Sequence, residues 1–108
     1  RAKNVDVLTR SAKFVRMVHG GSITACKSGK DRTSMLVTLD EALLLEEQHD
    51  LRSKSRAVVA DAMRRHGVRR ANAEKNIGAP RYAFNALQEL FLPEDLRPPE
   101  GTGGAKKT

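Results

Sequence analysis

The chain has 108 residues, of which 39% are hydrophobic, 31% charged and 4% aromatic, a balance that fits one small globular domain rather than a disordered chain. No apolar run exceeds the four residues of Ala42–Leu45, far short of the roughly 20 a membrane-spanning helix needs. Arg1–Val18 intersperses apolar residues with charges, unlike a secretory signal, and the single cysteine, Cys26, excludes an internal disulfide framework or a multi-cysteine zinc site.

Taken in chain order, Asn4 can cap a first helix in which Val5, Leu8, Ala12 and Val15 recur at helical spacing. Gly20-Gly21 is expected to end it. Ser22–Ala25, with β-branched Ile23 and Thr24, reads as a short strand, followed by a loop from Cys26 to about Arg32. A long helix is expected from about Thr33 to His49, with Leu36, Leu39 and Leu43 as its apolar stripe and Met35, Ala42 and Leu45 beside it. Arg56–His66 reads as a third helix, with Val58, Val59, Ala62 and Met63 inward and Gly67 stopping it. Pro80 suits the first turn of a fourth, where Phe84, Leu87 and Phe91 share a face until Pro93. The Gly-, Pro- and Lys-rich segment Arg97–Thr108 is expected to be loose, so the domain is drawn as 1–96 with a tail at 97–108.

A lone strand cannot satisfy its own backbone groups. With Arg1 rather than Met at the first position, this suggests the C-terminal part of a larger α/β catalytic domain. The net charge of +7 is unevenly spread: +6 over 1–33, −4 over 34–52, +6 over 53–81 and −1 beyond. Two basic blocks around an acidic helix suggest a surface tuned to anions, although a solvated surface gives the same pattern. Nucleic acid is not expected, because aromatic stacking residues are missing near the basic runs. Arg64-Arg65-His66-Gly67-Val68-Arg69-Arg70 is the candidate for peripheral contact with an anionic membrane, against a solvated helix end.

Cys26-Lys27-Ser28-Gly29-Lys30-Asp31-Arg32-Thr33, set between a strand and a helix start, carries the chemistry. Backbone N–H groups from Lys27 to Arg32, Ser28 among them, can point inward and cradle a phosphate. Gly29 permits the tight turn, and the Arg32 guanidinium can hold two phosphate oxygens at once. The helix start and the cations Lys27, Lys30 and Arg32 are expected to favour a Cys26 thiolate, which can attack phosphorus and form a phosphocysteine. Asp31 can protonate the leaving alkoxide, or it can brace the loop by bonding backbone or a neighbouring cation. Thr33 can hydrogen-bond the sulfur. A nucleoside-triphosphate loop is excluded, since Gly29-Lys30 is followed by Asp31 and Thr24 stands where that motif needs glycine. His19, His49 and His66 match no metal spacing.

On these residues the loop resembles that of the cysteine-based phosphoinositide phosphatases, most nearly the inositol polyphosphate 4-phosphatases, and is similar to that of bacterial effector inositol phosphate phosphatases. Thr33-Ser34-Met35, Val37-Thr38-Leu39, Met63-Arg64-Arg65, Lys75-Asn76-Ile77, Tyr82-Ala83-Phe84-Asn85 and Arg97–Thr102 look similar to the animal enzymes. The resemblance implies a dual-specificity-phosphatase-like core that needs no cofactor or metal and removes the 4-phosphate of phosphatidylinositol 3,4-bisphosphate. It implies Cys26 as nucleophile, Arg32 as phosphate clamp, and Lys27 and Lys30 as contacts to other ring phosphates. Gly29 departs from the alanine usual in the animal enzymes. Asp31 before Arg32 is similar to the arrangement in myotubularin lipid phosphatases, where that position is thought to supply the general acid. A cytoplasmic location is expected, with the oligomeric state left open. The alternatives are a soluble inositol-polyphosphate or dual-specificity protein phosphatase, and an inactive truncated module that binds anions.

Overall fold

The computed structural model describes residues 4–27 and 31–104. Among the described residues are five α-helices: α1 (Asp6–Met17), α2 (Asp31–Gln48), α3 (Arg56–His66), α4 (Val68–Ile77) and α5 (Ala86–Phe91). Short 3-10 turns lie between α2 and α3 at Ser53–Ser55 and after α5 at Glu94–Leu96, and no helix among the described residues is long and apolar enough to cross a membrane.

The expected strand at Ser22–Ala25 does not form, and no strand occurs among the described residues. The physical reason is the one anticipated: nothing within these residues offers the backbone partners a strand requires. The result is mainly helical, without the strand–loop–helix unit.

Helix α1 opens with Asp6 N donating to Asn4 Oδ1 at 3.2 Å. Its end differs from the expectation. His19, not a glycine, takes the left-handed conformation (φ 59°), and Gly20 N donates to Val15 O at 2.8 Å. A Cβ on Gly20 would lie 2.8 Å from Val15 Cγ1, so the glycine serves close approach rather than handedness. Val5, Ala12 and Val15 are half-buried, but Leu8, Phe14 and Met17 are exposed, leaving much of the α1 apolar surface uncovered. What ties α1 down is a charged clamp. Arg16 donates to Asp40 at 2.9 Å and to Glu47 at 3.3 Å, one turn-pair apart on α2.

Helix α2 begins two residues before the expected Thr33 and ends within one of His49. It buries Met35, Leu39 and Ala42, with Leu36 and Leu43 partly covered. The core forms where Met35 and Leu39 meet Tyr82, Phe84 and Leu96.

Helix α3 has the expected bounds but a different buried face. Val58 is 69% exposed and Ala62 is exposed, whereas Ala60 and Arg64 are buried. Arg64 organises this region. Its Nε donates to Thr38 Oγ1 at 2.8 Å and its Nη1 to Arg97 O at 3.0 Å, while Nη2 reaches Met35 O at 3.0 Å and Asp95 O at 2.7 Å. Its own carbonyl accepts from the Tyr82 hydroxyl at 2.7 Å. Burial pushes the Arg64 pKa down, and the nearby Tyr82, Asp95 and Asp61 oppose that shift. A guanidinium with four of its five N–H donors bonded can be buried because those donors exchange water for fixed acceptors.

Helix α4 was not expected. It starts from Gly67, whose added Cβ would collide with the Met63 carbonyl, and ends at left-handed Gly78 (φ 74°). The next helix starts at Ala86 rather than Pro80, because Asn85 and Gln88 form a reciprocal capping box. Phe84 is buried ahead of it, while Leu87 and Phe91 remain exposed.

The expected looseness of the tail is corrected for residues 97–104. Pro98, Pro99 and Thr102 are buried, Tyr82 N donates to Thr102 O at 2.6 Å, and Gly104 N donates to Phe84 O at 2.9 Å. Proline and glycine here shape a packed turn over Tyr82 instead of freeing the chain. Residues 105–108 lie outside the described residues.

Candidate active site

The candidate site lies at the start of α2. The preceding segment runs without regular structure to Cys26, which is half-buried, and α2 begins at Asp31. One helical turn holds three of the predicted residues in sequence: Asp31, Arg32 and Thr33. Their side chains must diverge, since neighbours on a helix are about 100° apart.

Thr33 turns back toward the loop, and its Oγ1 donates to Cys26 Sγ at 2.9 Å, with both residues half-buried. The sequence reading expects this contact. A hydroxyl donor at that distance stabilises negative charge on sulfur more than the neutral thiol.

Asp31, 13% exposed, turns to a different neighbour. Its Oδ1 accepts from Arg69 Nη2 at 3.4 Å, so the first residue of α2 is tied to the second residue of α4. Of the two roles open to Asp31, pairing with a neighbouring cation is thus present. Lys27 and Arg32 are exposed at the two described edges of the loop. Ser28, Gly29 and Lys30 lie outside the described residues.

The first two turns of α2 are therefore held from two sides. Arg69 holds Asp31, and Arg64 holds Met35 O and Thr38 one turn further on. Thr38 Oγ1 also bonds back to Ser34 O at 2.8 Å, which keeps the hydroxyl oriented to accept from Arg64. A separate groove of about 230 Å³ lies between α1, residues 22–25 and Leu36 and Asp40 of α2, and Cys26 does not line it.

The basic stretch proposed for membrane contact is largely used inside the protein. Arg64 is 5% exposed and cannot meet a membrane surface. Arg65 pairs with Asp61 at 2.6 Å, and Arg70 donates to Arg65 O at 2.6 Å and to Pro80 O at 2.9 Å. Sequence reasoning took these four arginines as one cationic run; their acceptors, mostly carbonyl oxygens far along the chain, were invisible to it. Arg69 is the site residue it missed. The available signal was a cation following Gly67 at a helix start, where the helix dipole disfavours positive charge and a compensating anion is needed.

A helical domain with a Cys-x5-Arg loop at the head of its longest helix is the class these features define. The chain belongs to the family described as the INPP4A C-terminal domain, whose model matches residues 1–96. Over all 108 residues it is 44% identical to the Rattus norvegicus protein named type II inositol 3,4-bisphosphate 4-phosphatase and to the Homo sapiens inositol polyphosphate 4-phosphatase type II. The chain spans 12% of the length of each of these relatives. It is also 29% identical over 100 residues, 93% of its length, to the Homo sapiens phosphatidylinositol 3,4,5-trisphosphate-dependent Rac exchanger 2 protein, of which that match covers 6%. No solved structure is significantly similar to it.

Proposed function

We propose that this chain carries the phosphate-binding loop of a cysteine-dependent phosphatase acting on the 4-phosphate of phosphatidylinositol 3,4-bisphosphate and related inositol phosphates. The Thr33 hydroxyl bonded to the Cys26 sulfur at 2.9 Å carries this reading, in a chain 44% identical to proteins named as inositol 3,4-bisphosphate 4-phosphatases. Cys26 Sγ, as thiolate, attacks phosphorus; the S–P bond forms as the bond from phosphorus to the ring oxygen breaks. The departing oxygen takes a proton from Asp31. Water then attacks the phosphocysteine and loses a proton to the Asp31 carboxylate. The S–P bond breaks, inorganic phosphate leaves, and Thr33 donates to the regenerated thiolate. Arg32 and the loop amides hold the phosphate oxygens, while Lys27 and Lys30 meet other phosphates of the ring.

In the same reading, residues 22–25 join a dual-specificity-phosphatase-like sheet supplied by a longer protein, a reading supported by the β-branched Ile23 and Thr24 having no strand partner among the described residues. A second reading is favoured by the likeness to the Rac exchanger, whose name gives a dependence on a phosphoinositide and no phosphatase activity. There the loop binds an anionic headgroup without turning it over.

Phosphate release from vesicles containing phosphatidylinositol 3,4-bisphosphate, measured on the full-length protein that carries this chain, separates the two. The enzyme reading expects release that Cys26→Ser abolishes while vesicle binding persists. Vesicle binding with no release supports the binding module. EDTA-sensitive turnover surviving in Cys26→Ser overturns the cysteine mechanism.

A further inference from the structure

Arg69 stands where a cation has to be explained. Arg69 and Arg70 occupy the first turn of α4, the positive end of the helix dipole, where basic residues are disfavoured. Arg70 is accounted for by its bonds to the Arg65 and Pro80 carbonyl oxygens, which fix the first turn of α4 to α3 and to the segment before Tyr82. Arg69 has no such carbonyl. Its only hydrogen bond or ion pair among the described residues is to Asp31, and its buried Nε has no partner. Its side chain is 20% exposed and that of Asp31 13%, so the pair is shielded from solvent, where a charge contact is stronger than on an open surface.

Asp31 immediately precedes Arg32 and lies two residues before Thr33, whose hydroxyl holds the Cys26 sulfur. A carboxylic acid at the exit of the loop has several rotamers open to it, and only a fixed one can deliver its proton to a departing oxygen reproducibly. We propose that Arg69 is a positioning residue for the reaction: by donating to Oδ1 of Asp31 it fixes the carboxyl group, whose Oδ2 carries the proton given to the leaving oxygen and which is left as the carboxylate paired with Arg69. Arg69 acts through Asp31 and does not contact the substrate. The anchored first turn of α4 gives this contact its precision, because Arg70 fixes that turn to α3, which itself packs on α2. This assignment rests on the phosphatase reading above.

The test uses Arg69→Gln and Arg69→Lys in the full-length protein, with vesicles of phosphatidylinositol 3,4-bisphosphate and with p-nitrophenyl phosphate, whose leaving group departs without protonation. Arg69→Gln is expected to lower kcat on the lipid about tenfold or more, with KM within about twofold, and to leave p-nitrophenyl phosphate turnover within about threefold. Arg69→Lys should recover part of the lipid activity. The double variant Asp31→Asn with Arg69→Gln should be no slower than Asp31→Asn alone, because both changes remove one function. Equal losses on the two substrates, or losses that multiply in the double variant, would overturn the positioning role. Hydrogen exchange at the amides of residues 35–38, whose helical bonds return to the carbonyls of residues 31–34, provides a readout independent of turnover. Faster exchange in Arg69→Gln is expected, and unchanged exchange would show that Arg69 does not hold this turn. Inactive wild-type protein would refute the phosphatase reading and the role in turnover together, and exchange would still report on the contact itself.

Discussion

Replacing Arg64 with alanine removes four hydrogen bonds that join α2, α3 and the 95–97 turn. Each bond to a charged group contributes roughly 1.5–3 kcal/mol when removed alone, but bonds sharing one guanidinium do not add. Removing the guanidinium leaves no charge behind, so the better guide is two carbonyl acceptors left unpaired at about 1–3 kcal/mol each, about 2–6 kcal/mol together. Asp95 O and Arg97 O lose this donor outright, whereas Met35 O still accepts from Thr38 at 3.1 Å, which places the expectation in the middle of that range. Small domains are stable by only about 5–15 kcal/mol. With a urea dependence of roughly 1–3 kcal/mol per molar, the unfolding midpoint of the chain followed by circular dichroism should fall by at least about 1 M. Arg64→Lys should recover little, since one ammonium cannot serve acceptors that Nε, Nη1 and Nη2 now reach separately. A midpoint within about 0.3 M of the wild type for Arg64→Ala would refute the claim that this side chain organises the fold.

Tyr82 makes stability depend on alkaline pH. Burial raises its pKa above the ordinary tyrosine value, against the opposing charges of Arg64 and Arg70. Above about pH 10 the unfolded chain therefore releases this proton before the folded one, and stability falls as pH rises further. Tyr82→Phe should abolish that slope in urea midpoints compared at about pH 8 and pH 10.5, and a slope unchanged in the variant would contradict it. Lys27→Ala should weaken turnover of the bisphosphorylated lipid by ten- to a hundredfold, the equivalent of roughly 1.5–3 kcal/mol, with p-nitrophenyl phosphate little affected. Equal losses on both substrates would show that Lys27 shapes the loop rather than meeting a second phosphate.

Local signals were legible in the sequence wherever local physics decides the outcome. The bounds of α3 and most of α2 follow from helical periodicity and a glycine stop, and the Thr33–Cys26 bond follows from a loop that must close onto a helix start. Elements decided by distant partners were not legible. The buried face of α3 is set by carbonyl oxygens at 95 and 97, more than thirty residues beyond Arg64, and no apolar stripe announces a buried arginine. Helix α4 has only Val68, Ala71, Ala73 and Ile77 as apolar residues among arginines and a lysine, although Gly67 and Gly78 bracket it. Pro80 pointed to a helix start, but the reciprocal Asn85–Gln88 cap places the start at Ala86. The β-branched run at 22–25 has strand propensity, and propensity without a pairing partner gives no strand.

The central claim is that Cys26 becomes covalently phosphorylated. Rapid quenching of the full-length protein in alkaline denaturant, which preserves an S–P bond, during turnover of phosphatidylinositol 3,4-bisphosphate labelled at the 4-phosphate tests it most directly, with peptide mass spectrometry locating the label. A phosphoryl group on the Cys26 peptide, absent from Cys26→Ser, is the result predicted. Steady phosphate release with the Cys26 peptide unlabelled throughout turnover, and release persisting in Cys26→Ser, would contradict it.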